Sequence, residues 1–384
     1  MTLPTAAIAG MGFMGRTHLQ ALRRLGVPVA GAVGLTPEEG VKFAKDNNLE
    51  HVYPSFEDLV NDPGAQVVHI CTPNYLHYPM AKASLEHGKH VICEKPLAIN
   101  SNQAAELIRL AEKMNLVGVV NYNLRFYPLC QDAYARVHAG EAGEIYLIQG
   151  GYLQDWLYLP SDWNWRLQPE AGGDLRAVAD IGTHWMDMIT WITGLEVDEV
   201  LADLKTFLPI RYRPKKEVET FASKLSKAED VEAVEIRTED YASILIRFNG
   251  GARAALTVSQ VSAGRKNYFW WNIYGSKSSL GWNSENPNLL WRGFREKPNE
   301  IILKDPSLML PEARFASVFP GGHSEGYPDT FYVLFQNVYK AIQAGKSVSK
   351  GMVPTFTDGY KELLFCEAIQ ESSRQRSWVK VQRN

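Results

Sequence analysis

Cysteine is scarce in this 384-residue chain, and Cys71, Cys93, Cys130 and Cys366 lie far apart. Such spacing excludes a disulfide framework and the paired-cysteine patterns of zinc sites, and it fits reduced, buried thiols. His87 and His90 near Cys93 do not rescue a metal site, because the predicted helix–loop–strand path scatters them, so no metal is expected. Long apolar runs are missing too. No stretch approaches the roughly 18 residues of a membrane span, and the N-terminus has no basic-then-apolar leader pattern. A cytoplasmic protein without membrane contact is therefore expected. Charge of one sign is also lacking: 40 Lys+Arg against 43 Asp+Glu give a net charge of −3. With no dense basic stripe, nucleic acid is not an expected partner. What remains is a globular chain long enough for about two domains, without repeats or low-complexity tracts.

The N-terminal third alternates buried strands with helices. Thr5 to Ala9 reads as a small-residue strand, Gly10-Met11-Gly12-Phe13-Met14-Gly15 as a turn, and Arg16 to Leu25 as a helix with Leu19, Leu22 and Leu25 on one face. A G-x-G-x-x-G between strand and helix has a mechanism: the first glycine makes the tight turn, the second admits a pyrophosphate, the third lets helix pack on strand. Further strands follow at Val29 to Val33, Val67 to Cys71, His90 to Cys93 and Leu116 to Asn121, with helices between them. This is the pattern of a doubly wound α/β domain. One residue is missing. The second strand ends in Gly34-Leu35-Thr36, without the Asp or Glu that usually holds a nucleotide ribose, and no Arg stands ready for a 2′-phosphate.

Two further motifs carry chemistry. Glu94-Lys95-Pro96 closes a buried strand, and in open parallel sheets ligands sit beyond the carboxyl ends of the strands, so Lys95 points toward a ligand. Downstream, Asp180-Ile181-Gly182-Thr183-His184 opens a helix whose Ile181, Trp185, Met188 and Ile192 form a core face. Asp180, His184 and Asp187 share the neighbouring stripe. Asp180 is expected to cap this helix, whose N-terminus would keep His184 neutral and able to accept a proton.

The remainder is built differently. Gly143 to Gln154, Val197 to Phe207, Tyr241 to Phe248, Ala252 to Gln260 and Tyr268 to Tyr274 read as strands without intervening helices, hence antiparallel. Residues 209–240, rich in charge, read as a solvated loop or short surface helix, and 306–328 as a long irregular segment. Helices from Thr330 to Ala344 and Thr355 to Ser373 close the chain, with an edge strand at Trp378 to Val381. Aromatics gather at Tyr152, Trp156, Tyr158, Trp163 and Trp165, beside Gln154, Asp155, Asn164 and Arg166. Aromatic faces combined with a few fixed polar groups suit a sugar.

Gly10-x-Gly12-x-x-Gly15, Glu94-Lys95-Pro96, Asn123-x-Arg125-Phe126 and Asp180-x-x-x-His184, in this order and spacing, resemble the glucose–fructose oxidoreductase / inositol dehydrogenase (Gfo/Idh/MocA) family. The resemblance implies an NAD(P)-binding Rossmann domain over residues 1–124. A substrate-binding and oligomerisation domain with a large, mostly antiparallel open sheet would follow over 125–384. It implies NAD or NADP as cofactor and hydride transfer at a secondary hydroxyl of a sugar, anhydrosugar or polyol, with Lys95, Asp180 and His184 as the catalytic trio. Cofactor contacts fall on Gly10, Gly12, Phe13, Met14, Gly15, Gly34, Thr36, Thr72, Pro73, Asn74, His77, Glu94, Lys95 and Asn123. Substrate contacts fall on Gln154, Trp156, Arg166 and Tyr327 together with the trio. The segment Tyr152 to Trp156, with Trp165-Arg166, looks like family members acting on sugars and anhydrosugars. A homodimer or homotetramer joined through the open sheet is expected. Two alternatives stay open: NAD-dependent glycoside cleavage through transient oxidation of the sugar, and a non-catalytic nucleotide or sugar sensor.

Overall fold

The computed structural model describes residues 3–215, 231–345 and 353–382. The chain divides into two compact units, one of Met1–Asn123, Glu170–Gly173 and Pro328–Leu363, the other of Leu124–Pro169, Asp174–Tyr327 and Leu364–Asn384.

The first unit is a parallel sheet of β1 (Ala6–Ala9), β2 (Val29–Val33), β3 (Val67–Ile70), β4 (His90–Cys93) and β5 (Gly118–Val120), in the order β2-β1-β3-β4-β5. β1 and β3 are buried throughout, as expected of strands covered on both faces. The helix after β1 runs Phe13–Leu25, three residues earlier than its leucine spacing suggested, and stops at Gly26 in the left-handed region (φ 69). Thr36 caps Pro37–Asn47 by accepting the Glu39 N–H, and Asn100 caps Ser101–Met114 in the same way. Ala7, Val68, Ile70, Val91, Leu107 and Val120 belong to one core.

In the second unit the described strands are β6 (Ile145–Leu153), β7 (Val197–Lys205), β8 (Ile210–Pro214), β9 (Val231–Glu235), β10 (Tyr241–Phe248), β11 (Arg253–Ser259), β12 (Tyr268–Gly275), β13 (Ser279–Asn283), β14 (Leu289–Gly293), β15 (Glu300–Leu303) and β16 (Val379–Lys380). Nine of these described strands form one sheet, β15-β14-β13-β12-β6-β11-β10-β7-β16, antiparallel at every neighbouring pair except β6–β11. The helix Thr183–Thr193 lies against this sheet. Trp185 is fully buried over Gly150, where an added Cβ would meet its Nε1 at 2.1 Å, and Nε1 donates to Trp270 O at 3.1 Å. The missing side chain at Gly150 is what lets the helix settle there.

The charge-rich stretch corrects its sequence reading. β8 and β9 pair antiparallel, and Arg211 is wholly buried, because its partners come from distant residues; 216–230 lie outside the described residues. Residues 306–328, expected to be irregular, contain a short 3-10 helix at Pro311–Ala316. Buried Lys304 bonds Glu325 at 2.8 Å, and Glu325 also accepts the Val318 and Phe319 N–H groups. That carboxylate pins the segment back on itself.

Candidate active site

The glycine turn has the form a dinucleotide needs. Gly10 has φ +99, and a Cβ there would come within 2.6 Å of the Cys71 backbone. A Cβ on Gly15 would meet Gly10 O at 2.0 Å, so helix and strand touch there. By contrast, nothing lies within 4 Å of a Cβ built on Gly12. The helix behind it has no side-chain cap and no acidic residue in its first turn, so the positive end of its dipole suits an anion. The fit to a pyrophosphate is thus good on the chain's own geometry.

A carboxylate absent from the strand end is supplied by the next helix. Glu39 reaches back so that its Oε2 accepts the Leu35 N–H at 2.7 Å, and a Cβ on Gly34 would stand 2.8 Å from that oxygen. Sequence spacing alone missed this, because the acid is five residues beyond the glycine and arrives by a turn.

Beyond β3 and β4, several expected contact residues are engaged by their own unit. Both ring nitrogens of buried His77 face carbonyls, Pro96 O at 2.7 Å and Thr72 O at 2.9 Å, tying the Thr72-Pro73 turn to the Lys95–Pro96 turn, whose peptide is cis. Burial outweighs those acceptors and lowers the pKa of His77. Asn74 donates to Gly172 O at 2.8 Å, and Asn123 to Thr330 Oγ1 at 2.7 Å.

Glu94 heads a buried polar chain that sequence reasoning did not find. His18 Nε2 lies 3.0 Å from Glu94 Oε1, His18 Nδ1 lies 3.0 Å from His69 Nδ1, and His69 Nε2 lies 2.9 Å from the Tyr339 hydroxyl. Asn121 Nδ2 also donates to Glu94. Burial raises the Glu94 carboxyl, but the His18 and Asn121 contacts and the charge of Lys95 overcome this and hold it low. Burial drives His69 well below its usual value and Tyr339 well above. One proton order that satisfies these contacts runs from Tyr339 O–H to His69, His69 Nδ1–H to His18, and His18 Nε2–H to the Glu94 carboxylate. The available signal was a histidine inside each of two otherwise apolar patterns, the Phe13–Leu25 core face and β3.

In the second unit Asp180 does not cap the helix. It lies inside a π-helical turn, Val178–Gly182, that runs into Thr183–Thr193, so the helical run begins before it. The start of the run is held instead by Glu239, which accepts the N–H groups of Arg176 and Val178. Asp180 Oδ1 lies 3.2 Å from Arg166 Nε, and Oδ2 accepts Gln260 Nε2 at 2.8 Å. Arg166 also stacks on Trp165, 4.3 Å from the ring centroid. His184 is mostly buried, its ring 6.1 Å from that of Tyr152. Asp187, on the same stripe, is taken by buried Arg125. Gln154 and Trp156 are bonded to each other, Trp156 Nε1 to Gln154 Oε1 at 2.9 Å, while Gln154 Nε2 donates to Asn267 Oδ1 at 2.7 Å. Tyr327 begins the helix Tyr327–Gln343 and packs against the core of this unit. Lys95 belongs to the first unit, Asp180 and His184 to the second. Among the described residues no group of His, Cys, Asp and Glu could hold a metal ion, and no helix is long and apolar enough to cross a membrane.

A Rossmann-type nucleotide unit joined in one chain to a broad, mostly antiparallel sheet defines a two-domain oxidoreductase. The family comparisons agree: residues 5–122 match the oxidoreductase family with NAD-binding Rossmann fold, and 130–281 match the Gfo/Idh/MocA C-terminal domain. The chain belongs to the Gfo/Idh/MocA family and is a nicotinamide-dependent dehydrogenase acting on CH–OH groups. It is 31% identical to levoglucosan dehydrogenase of Pseudarthrobacter phenanthrenivorans, with 97% of each chain covered. Among solved structures, levoglucosan dehydrogenase in complex with NADH and levoglucosan superposes with a TM-score of 0.88 at 30% identity, covering 100% of both chains. An oxidoreductase domain protein from Kribbella flavida gives 0.89 at 28% identity, again over 100% of both.

Proposed function

We propose that the protein oxidises a secondary hydroxyl of a sugar or anhydrosugar with NAD in preference to NADP. The observation that carries this reading is the supported pair on one helical run: Asp180, gripped by Arg166 and Gln260, one turn before His184. Levoglucosan dehydrogenase, solved in complex with NADH and levoglucosan and with NADH and L-sorbose, supports the substrate class. NAD, when bound, supplies the hydride acceptor, C4 of its nicotinamide. Gly10, Gly12 and Gly15 shape the pyrophosphate turn, and Glu39 supplies the carboxylate that favours a free ribose over a phosphorylated one. His184 takes the hydroxyl proton as general base, a role worth about 10²–10⁴-fold. Asp180 orients His184 or the same hydroxyl, and Lys95, with ionised Glu94 beside it, stabilises the developing alkoxide. Gln154, Trp156, Arg166 and Tyr327 contact the sugar.

Assembly follows from the sheet's outer face. Leu201, Leu245, Ala255, Gln149 and Asn272 form one row across β7, β10, β11, β6 and β12, and Leu245 is 48% exposed, with Tyr146 at 55% nearby. Pairing two such faces about a two-fold axis gives a homodimer or a homotetramer. Four free thiols favour a reducing compartment, the cytoplasm. For the chemistry, His184→Ala and Lys95→Ala should each lower kcat by at least about 10²-fold, with NADH binding retained in the His184 variant. Near-normal turnover in either variant removes that residue from the mechanism.

A further inference from the structure

Asp180 is supported by groups that none of the family motifs contains. Gln260, fully buried just past β11, donates from Nε2 to Asp180 Oδ2, and its Oε1 accepts Nη1–H of Arg176 at 3.2 Å. Arg176 and Arg211 both donate to Asp240 Oδ1, while Asp240 Oδ2 accepts the N–H groups of Phe207 and Leu208 at 2.7 and 2.9 Å. Arg211 continues to the carbonyls of Leu157 and Leu159, in the aromatic segment beside the expected sugar contacts. Arg176, Arg211 and Asp240 are no more than 2% exposed. Burial would raise the Asp240 carboxyl, but the two arginines hold it low, so the cluster stays charged.

These partners decide which way the Gln260 amide points. A guanidinium offers only donors, so the side of the amide that meets Arg176 is oxygen, and the side that meets Asp180 is NH₂. Reversing the amide would set donor against donor at Arg176 and acceptor against acceptor at Asp180. A buried arginine, itself fixed by a buried aspartate, therefore sets the amide, and the amide holds one oxygen of the carboxylate.

We propose that Gln260, oriented by the Arg176–Asp240–Arg211 cluster, is the positioning residue for Asp180, holding its carboxylate in the orientation that serves the proton transfer. Oδ1 is thereby left toward Arg166. The other titratable groups around Asp180 are His184 on its own helical run and Tyr152 on β6. Burial pushes the Tyr152 hydroxyl up, with Tyr127 and Asp180 adding to it, and that hydroxyl donates to Asn267. The residue that meets Asp180 from just past β11 is a neutral donor.

The proposal rests on the reading of Asp180 as part of the reacting group, and the experiment separates the two. Full-length Gln260→Glu, Gln260→Met and Asp180→Asn variants are assayed for sugar oxidation with NAD across pH, with NADH affinity measured by fluorescence titration. Gln260→Glu keeps a partner for Arg176 but sets a carboxylate against Asp180. The acid limb of kcat should move up by about one pH unit or more, because two facing carboxylates retain a proton. Gln260→Met keeps the shape without the donor, and kcat should fall by at least about tenfold through loss of orientation. NADH affinity should stay within about twofold of wild type in both, since the pyrophosphate turn is untouched. If Asp180→Asn turns over normally, the reading of Asp180 fails. If Asp180→Asn is impaired while Gln260→Glu leaves the acid limb in place, or Gln260→Met leaves kcat unchanged, the positioning role is wrong.

Discussion

Replacing Glu39 with Gln should relax the choice between NAD and NADP. The substitution is nearly isosteric, and the amide oxygen can still accept the Leu35 N–H that the carboxylate now accepts at 2.7 Å, so the turn after β2 keeps its shape. Only the charge is removed. Two unit charges about 4 Å apart interact by about 1 kcal/mol in water and about 4 kcal/mol at an effective dielectric of 20. Glu39 is partly exposed, which calls for the lower part of that range. A contribution of about 1–2 kcal/mol corresponds to roughly a 5- to 30-fold change in the ratio of NADPH to NADH dissociation constants. Fluorescence titration of both nucleotides at low and high salt gives that ratio directly, and salt should shrink the wild-type discrimination by screening it. Gly34→Asp is the wrong tool here, because its Cβ would stand 2.8 Å from Glu39 Oε2 and set a second carboxylate on the first. A ratio within twofold of wild type in Glu39→Gln refutes the assignment and moves cofactor selection to another residue.

Two further outcomes follow from burial. His69 is held neutral in the folded state, well below its ordinary value, so the unfolded chain binds more protons at mildly acid pH. The stabilisation is complete above about pH 6.5 and is lost progressively as pH falls below it. Thermal unfolding midpoints should therefore drop on acidification, with a flatter profile in His69→Gln; an equally steep profile in that variant would assign the acid sensitivity elsewhere. Leu245→Glu puts a charge in the middle of the open sheet face and should convert the assembly to single chains, read by light scattering as a mass near 43.1 kDa. A wild-type protein already of that mass at micromolar concentration would dispose of the proposed interface.

The architecture was legible because its signals are local. Buried strands with β-branched runs, a glycine turn between strand and helix, and strands following one another without helices each carry their meaning within a dozen residues. The apolar stripe Ile181, Trp185, Met188 and Ile192 is likewise a local pattern, and all four pack in the core of the second unit. What stayed hidden depends on partners far apart in sequence. Arg211 reads as one of a solvated run until Asp240 and the Leu157 and Leu159 carbonyls are found around it. Glu39 is invisible to a rule that seeks an acid on the strand itself. The cap expected of Asp180 went instead to Glu239, some sixty residues away, because the π-helical turn lengthened the run at its start. The chain from Glu94 through His18 and His69 to Tyr339 joins a strand end, a helix, a second strand and a C-terminal helix, which no local pattern connects.

The proposed reaction is tested most directly by following nucleotide and sugar together in one vessel. Purified protein is incubated with NAD and a panel of anhydrosugars, aldoses and inositols, and with nitrophenyl glycosides in parallel. Sugar oxidation predicts NADH accumulating in step with a keto product from at least one anhydrosugar or sugar, and disappearing when the keto product is added back. Release of nitrophenol without net NADH would contradict it in favour of glycoside cleavage, and tight cofactor binding without turnover across the panel would contradict it in favour of a sensor.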